Sequence, residues 1–249
     1  MRPGLRHAPE PVLPAMTMRE EVLIVLSLSL LASAVFAIIS ILEAPISGYE
    51  VPSVSQSTVL ARQVASFAFG LAPVWLVVYL VRRSGEGVKA IGLAWDQPKR
   101  DVSLGLALFA VVGLAGIAMY LGAVALGVNR FVRPAPPLGY WWTVPVLLLN
   151  AAEAALLEEV IAVGYLVTRL QQLRLTAFAA VAASALLRGT YHLYQGFGGF
   201  LGNLAMGALF GFVFVRTRRT WPLVIAHFLL DVAAGLGYIA FREHLPGYR

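Results

Sequence analysis

The chain has 249 residues, of which 59% are hydrophobic and 13% charged, with a mean hydropathy of +0.77 and no cysteine. A soluble domain is nearer half apolar and a quarter charged, so the composition predicts a polytopic membrane protein, and the missing thiols exclude disulfides, Cys-ligated zinc and thiol catalysis. The net charge of +6 does not indicate a nucleic-acid partner, because the basic residues lie in short loops between apolar runs and form no continuous face; they read as topology signals.

Residues 1–18, rich in Pro and Arg without helical periodicity, read as a flexible N-terminal tail, and 19–249 as a single transmembrane domain. Apolar runs follow at 22–42, 63–81, 102–127, 143–168, 175–194, 199–215 and 221–241. Each is near the ~20 residues that a helix needs to cross ~30 Å of hydrocarbon. The expected fold is therefore all-α, a membrane helix bundle of about seven transmembrane helices. The first run exceeds the roughly 7–15 residues of a signal-peptide core and has no clear small-x-small site after it, so it reads as an anchor. With the N-terminus in the cytoplasm, thirteen Lys and Arg fall in inner segments and five in outer ones, which predicts an outer C-terminus. Trp141 and Trp142 then open the fourth run at the outer interface, where amphipathic rings are favoured. In the sixth run and its approach, Gly198, Gly202, Gly207 and Gly211 form two small-xxx-small pairs that suit close packing. Arginine outnumbers lysine seventeen to two and alanine is abundant, a bias associated with high-GC bacterial genomes; the expected location is a bacterial plasma membrane.

Five charged or titratable side chains interrupt these runs: Glu158, Glu159, His192, His227 and Asp231. Each costs roughly 2.5–3.5 kcal/mol at the centre of a membrane helix on insertion scales. In LLEEVIAVGYLVTRL the two glutamates are adjacent and point about 100° apart, so one can face a cavity while the other reaches a flanking partner. In ALLRGTYHLYQG, Arg188 and His192 stand one turn apart on one face. In WPLVIAHFLLDVAAG, His227 and Asp231 share the same spacing, which lets the carboxylate orient the ring and fix its tautomer. Three helices each bringing a polar pair into lipid implies convergence, because shared burial lets the pairs satisfy one another. Glu153 lies on a different face from both later glutamates and is left unassigned.

The ordered set EExxxxGYL, a His closing the next run, and HxxxD on the last resembles the CPBP family, the CAAX-protease and bacteriocin-processing (Abi-like) group of intramembrane proteases related to the Ras-converting prenyl-protein endopeptidase. The resemblance covers about 140–240, the motif-bearing core, and its pattern is EExxxR, then FxxxH, then HxxxN or HxxxD. It implies that Glu158 activates water and that Glu159 is its companion. It further implies that His192 and His227 polarise the scissile carbonyl or help hold the water, and that Asp231 has the orienting place. Two positions depart: Val163 stands where the family has arginine, and Arg188 where it has phenylalanine. The charge has changed helices, and Arg188 is expected to replace the missing arginine by pairing with Glu159.

Peptide hydrolysis needs a nucleophilic water, a base and donors for the oxyanion, and Glu158, His192 and His227 can supply them. The expectation is an intramembrane endopeptidase that acts on a membrane-associated peptide or protein and has the lipid bilayer as its surroundings. The same three residues can instead ligate Zn²⁺; with no HExxH spacing, the resemblance implies no obligatory metal or other cofactor. Straight spans would leave His192 near the outer face and His227 within about two turns of the inner one, so the HLYQGFGG turn is expected to stay at membrane depth, its glycines permitting the reversal. Two alternatives stay open: a catalytically silent scaffold or binding protein of the same fold, and a proton-coupled transporter, although the chain shows no repeat symmetry.

Overall fold

The structure is a computed structural model whose described residues are 15–31, 33–34, 56–125 and 136–244. The predicted tail up to residue 14, the first apolar run from 35 onward, the last residues of the third run, and Arg2, Arg6, Arg130, Arg133 and Arg249 lie outside them. Among the described residues there is no β-strand, and the elements are α1 (Ala15–Ser27), α2 (Gln56–Gly70), α3 (Ala72–Arg83), α4 (Pro98–Ala125), α5 (Thr143–Glu158), α6 (Leu166–Gln172), α7 (Ala177–Tyr191), α8 (Phe197–Thr217) and α9 (Trp221–Phe241). A π-helical segment, Glu159–Tyr165, joins α5 to α6 without a break in the helical path. Helix α1 starts inside the predicted tail, and the reason is tertiary: buried Glu21 in its second turn is held by Arg169 of α6.

Four helical stretches among the described residues are long and apolar enough to cross a membrane: Val59–Arg83, Pro98–Met119, Phe197–Thr217 and Trp221–Phe241. The first is stepped at Leu71 because Pro73 has no N–H to donate and its ring crowds the preceding turn. Pro98 opens α4 at the position where a missing donor costs nothing. The remaining predicted runs are of another kind. The run at 143–168 falls in the continuous helix Thr143–Gln172, which carries Glu153, Glu158, Glu159 and Arg169. The run at 175–194 yields α7, whose 15 residues rise only about 22 Å. Apolar side chains such as Phe69, Trp75, Trp141 and Phe178 point outward, more than three-quarters exposed, which a water-soluble surface would not tolerate in such number. Together these features describe an integral membrane protein.

The four apolar stretches have an end at one common face. There Thr220 N donates to Gly92 O at 2.9 Å, Arg219 Nη2 to Asp101 Oδ2 at 2.6 Å, and Arg169 Nη1 to Glu86 Oε2 at 2.5 Å. Helices α4 and α9 start from this face, α3 and α8 finish on it, and α6 ends there beside Glu86.

The π segment is the centre of the molecule, with all seven residues buried. Val160, Ile161 and Tyr165 pack with Val77, Val81 and Ile91, whereas Val163 packs on the other side with Phe210, Phe214 and Leu223. A π turn leaves carbonyls short of their usual donors, and neighbouring hydroxyls supply them: Ser184 Oγ donates to Ala162 O and Thr168 Oγ1 to Gly164 O, both at 2.6 Å. A side chain at Gly164 would put its Cβ 2.8 Å from Ile91 O, so only glycine lets the loop approach. Gly207 and Gly211 seat α8 on α7, where a Cβ would meet Ala185 Cα at 3.0 Å and Val181 Cγ1 at 2.8 Å. That is the packing role predicted for them.

Candidate active site

The site grows from the junction of α5 and the π segment. Glu158 is the last residue of α5 and Glu159 the first of the π segment, and both carboxylates reach one guanidinium on α7. Arg188 Nη1 donates to Glu159 Oε1 at 2.6 Å, and its Nη2 lies 3.2 Å from Glu158 Oε2. The pairing of Arg188 with Glu159 across the two helices is thus present, and Arg188 spans both acids, which the 100° offset did not anticipate. Arg188 is itself buried, its Cδ against the bare Cα of Gly207 and its Cζ 5.6 Å from the Phe210 ring centroid. Val163, where the family pattern carries the charge, faces an apolar cluster and has no carboxylate to meet.

The two acids differ in enclosure. Glu159 has no exposed surface, whereas the Glu158 side chain is 12% exposed and accepts from Tyr191 Oη at 2.8 Å. Their roles therefore separate by environment: one is sealed in an ionic lock, the other keeps an open edge.

His227 meets the same lock from α9. Its Nδ1 lies 2.8 Å from Glu159 Oε1 and 3.2 Å from Arg188 Nη2. One ring nitrogen cannot both donate to a carboxylate and accept from a guanidinium, and the charged acceptor at the shorter distance assigns the proton to Nδ1. The other nitrogen, Nε2, lies 3.4 Å from Asp231 Oδ2, whose side chain is 40% exposed. The carboxylate expected to orient the ring, Asp231, stands on its Nε2 side, and the closer contact, to Nδ1, is made by Glu159. His192 closes α7, and its Nδ1 lies 3.0 Å from the Arg188 carbonyl. A carbonyl only accepts, so this ring also carries a proton on Nδ1, and Nε2 is the nitrogen turned away from its own helix. The ring is buried between Tyr191 and Tyr194, at centroid distances of 4.7 and 6.0 Å.

Ligand atoms of Glu158, Glu159 and His227 lie within 4.8 Å of one another, the one such group of three or more among the described residues. The set named in advance for a metal, Glu158, His192 and His227, is a different one; His192 turns its Nδ1 to its own helix. The converging trio is also already bridged by a cation, since Arg188 contacts all three. Glu153 is elsewhere: its carboxylate presses on α2, where a Cβ at Gly70 would fall 1.6 Å from Glu153 Oε1. Sequence reasoning passed over Tyr191, although it adjoins His192 in the quoted run, because a tyrosine beside a histidine has no spacing signature of its own. Phe210 under the guanidinium was equally silent.

No curated protein and no solved structure matches the chain in comparison. Residues 140–233, which hold Glu158, Glu159, Arg188, His192, His227 and Asp231, do match a family model, that of the Rce1-like type II CAAX prenyl endopeptidases, so the segment that builds the cluster is similar to a protease family.

Proposed function

We propose that this chain is an intramembrane endopeptidase that hydrolyses a peptide bond of a membrane-associated peptide or protein, with Glu158 as the base that activates water. The observation that carries the reading is the asymmetry of the acids: Glu159 is closed off by Arg188 and His227, while Glu158 retains exposed surface beside the buried His192. Glu158 takes a proton from water as it attacks the carbonyl carbon, the C–N bond then breaks, and Glu158 returns the proton to the leaving amine. His192, through Nε2, holds the water or, once protonated, donates to the oxyanion; His227 and Asp231 line the other side of the carbonyl. Glu159 and Arg188 position the rest. Glu159 Oε2 and Arg188 Nε have no hydrogen-bond partner among the described residues, which is capacity left in the cluster for a buried water.

The reaction in this proposal needs no metal, because the Arg188 guanidinium occupies the point between carboxylates and imidazole that a divalent ion would take. The family description names a prenylated CAAX substrate for its members; for this chain we propose the wider class, a peptide held at the bilayer. The chain crosses a bacterial plasma membrane about seven times in this reading, with the N-terminus in the cytoplasm and the C-terminus outside. Short α7 supports a catalytic turn at membrane depth: it ends about 22 Å from its start, against ~30 Å of hydrocarbon, and reverses at Gly196, whose φ of 92° only glycine adopts readily.

The test uses purified protein in proteoliposomes with a membrane-anchored reporter peptide. Cleavage by the wild type that falls by about 10²–10⁴-fold in Glu158→Gln, with the melting temperature held, supports the proposal. Equal cleavage in Glu158→Gln overturns it. A folded wild type that cleaves nothing would point to the silent scaffold, and proton flux into empty liposomes to the transporter.

A further inference from the structure

A cavity of about 230 Å³ opens on the face where the four apolar stretches end, remote from the glutamate cluster, and Lys89, Arg218 and Arg219 line it with the single carboxylate Asp96. We propose that this cavity binds a phosphate group, presented by an anionic lipid headgroup or by free phosphate.

The cations are not equivalent. Arg219 is committed: its Nε and Nη2 bond Asp101, its Nη1 bonds Asp96 at 2.7 Å, and Nη2 also donates to Ala94 O at 3.1 Å. The hydrogen bond from Arg219 holds the Asp96 carboxyl below the usual carboxylate range, so one guanidinium answers two carboxylates, this wall carries a single net negative charge, and the positive charge of the cavity comes from Lys89 and Arg218. Lys89 and Arg218 form no ion pair among the described residues. Their two charges face the cavity and outweigh the single negative charge of the opposite wall, where Asp96 feels Lys89 through space without pairing with it.

Both side chains are exposed and rise from defined backbone turns. Lys89 sits in the short 3-10 turn Val88–Ile91, bounded by Gly87 and Gly92 at φ values of 69° and 75°. Arg218 adopts φ 54°, an unusual conformation for a long side chain, and its guanidinium carbon lies 5.6 Å from the Phe214 ring centroid. The positive φ belongs to Arg218 as the left-handed cap that ends α8, its N–H bonded to Phe214 O, and that cap sets the side chain on the cavity lining beside Lys89. The rim fits a membrane interface: Trp95 is half-exposed and packs edge-on to Trp221 at 5.0 Å, while Trp221 Nε1 donates to Leu93 O at 3.0 Å. Tryptophan at the hydrocarbon edge beside unpaired cations is the chemistry that receives a lipid phosphate.

The experiment measures melting temperature and retained lipid, the latter by native mass spectrometry, for the full chain in a phosphate-free detergent. Dioleoylphosphatidylglycerol, dioleoylphosphatidylcholine and inorganic phosphate are added separately. Selective retention of phosphatidylglycerol that falls about fivefold in each of Lys89→Gln and Arg218→Asn supports a headgroup site. Asparagine tolerates positive φ, so the second variant removes charge while keeping the turn. Stabilisation by millimolar inorganic phosphate, with displacement of phosphatidylglycerol and loss in the same variants, supports the site with free phosphate as its ligand. No stabilisation by either, or binding unchanged in both variants, overturns the proposal. Peptide cleavage stays at the wild-type level in both, which separates this site from the glutamate cluster.

Discussion

Replacing Arg188 by alanine tests the lock most directly. The guanidinium is buried, touches both glutamates and His227, and has the fully enclosed Glu159 as its closest partner at 2.6 Å. Removing one member of a buried ion pair costs about 3–5 kcal/mol, since the survivor keeps its desolvation penalty without its partner. Truncation also opens space against Gly207 and Phe210, where the arginine stem packs. Against a net stability of about 5–15 kcal/mol, that is a large fraction. At roughly 2–4 °C per kcal/mol for a chain of this size, the melting temperature in detergent should fall by about 6–20 °C. The decisive comparison is the double variant Arg188→Met with Glu159→Gln. It removes both charges, keeps the volume, and leaves an amide oxygen to accept from His227 Nδ1, so it should recover more than half of the loss. Thermal unfolding followed by intrinsic fluorescence reads both. An Arg188→Ala protein that melts within a degree or two of the wild type, or a double variant no better than the single, refutes the lock.

The close approach at the π segment predicts that Gly164→Ala costs about 1–3 kcal/mol, because its Cβ would meet Ile91 O at 2.8 Å and Thr220 Oγ1 at 2.9 Å. Gly116→Ala, with nothing within 4 Å of the new Cβ, should be neutral or stabilising by up to about 1 kcal/mol; equal melting temperatures for the two variants would contradict this packing. At the face where the stretches end, burial pushes the Glu86 carboxyl up, but hydrogen bonds from Arg169, Ser84 and Gln172 outweigh it and hold the group below its ordinary value of 4.5. A lowered folded-state pKa adds stability above the unfolded value and loses it as pH falls through the folded one. The wild type should therefore lose stability on acidification below about pH 4.5 more steeply than Glu86→Gln, and parallel pH profiles of melting temperature would rule the anchor out. Tyr191→Phe removes the hydrogen bond that holds Glu158 at 2.8 Å; it should lower kcat about tenfold and alter the acid limb of the pH–rate profile, whereas a change confined to stability would make Tyr191 structural only.

The polar cluster was legible because charge in an apolar run is costly and therefore conspicuous. Glu158, Glu159, Arg188 and His227 each stand out against their neighbours, and the shift of arginine from position 163 to 188 led directly to the pairing across helices. The i, i+4 spacing of His227 and Asp231 placed the two groups within reach, at 3.4 Å. What spacing could not convey was depth. The Arg188 guanidinium reaches Glu159 from α7 while His227 Nδ1 meets the same Glu159 oxygen from α9, so one carboxylate joins the two helices without His192 and His227 having to touch. The π segment was invisible for a related reason. No run of EVIAVGY favours it locally, since its freed carbonyls are met by Ser184 and Thr168, and its narrow waist is set by Ile91 pressing on Gly164.

Arginines counted only as topology markers were under-read in the same way. Arg169 and Arg219 are each enclosed by carboxylates from distant segments: Glu21 and Glu86 for the first, Asp96 and Asp101 for the second. These networks clamp α1 and the loop before α4 onto the ends of α6 and α8, and they have a consequence for the site above them. Thr220, next to Arg219, donates through Oγ1 to Ile91 O at 2.6 Å, and that same carbonyl presses on Gly164, five residues after Glu159. A chain of direct contacts thus runs from the charged face to the π segment that sets the angle between Glu158 and Glu159. The two carboxylates can share one guanidinium because that segment is held in place from below, so the geometry of the cluster depends on ion pairs that a reading of topology alone treats as interchangeable.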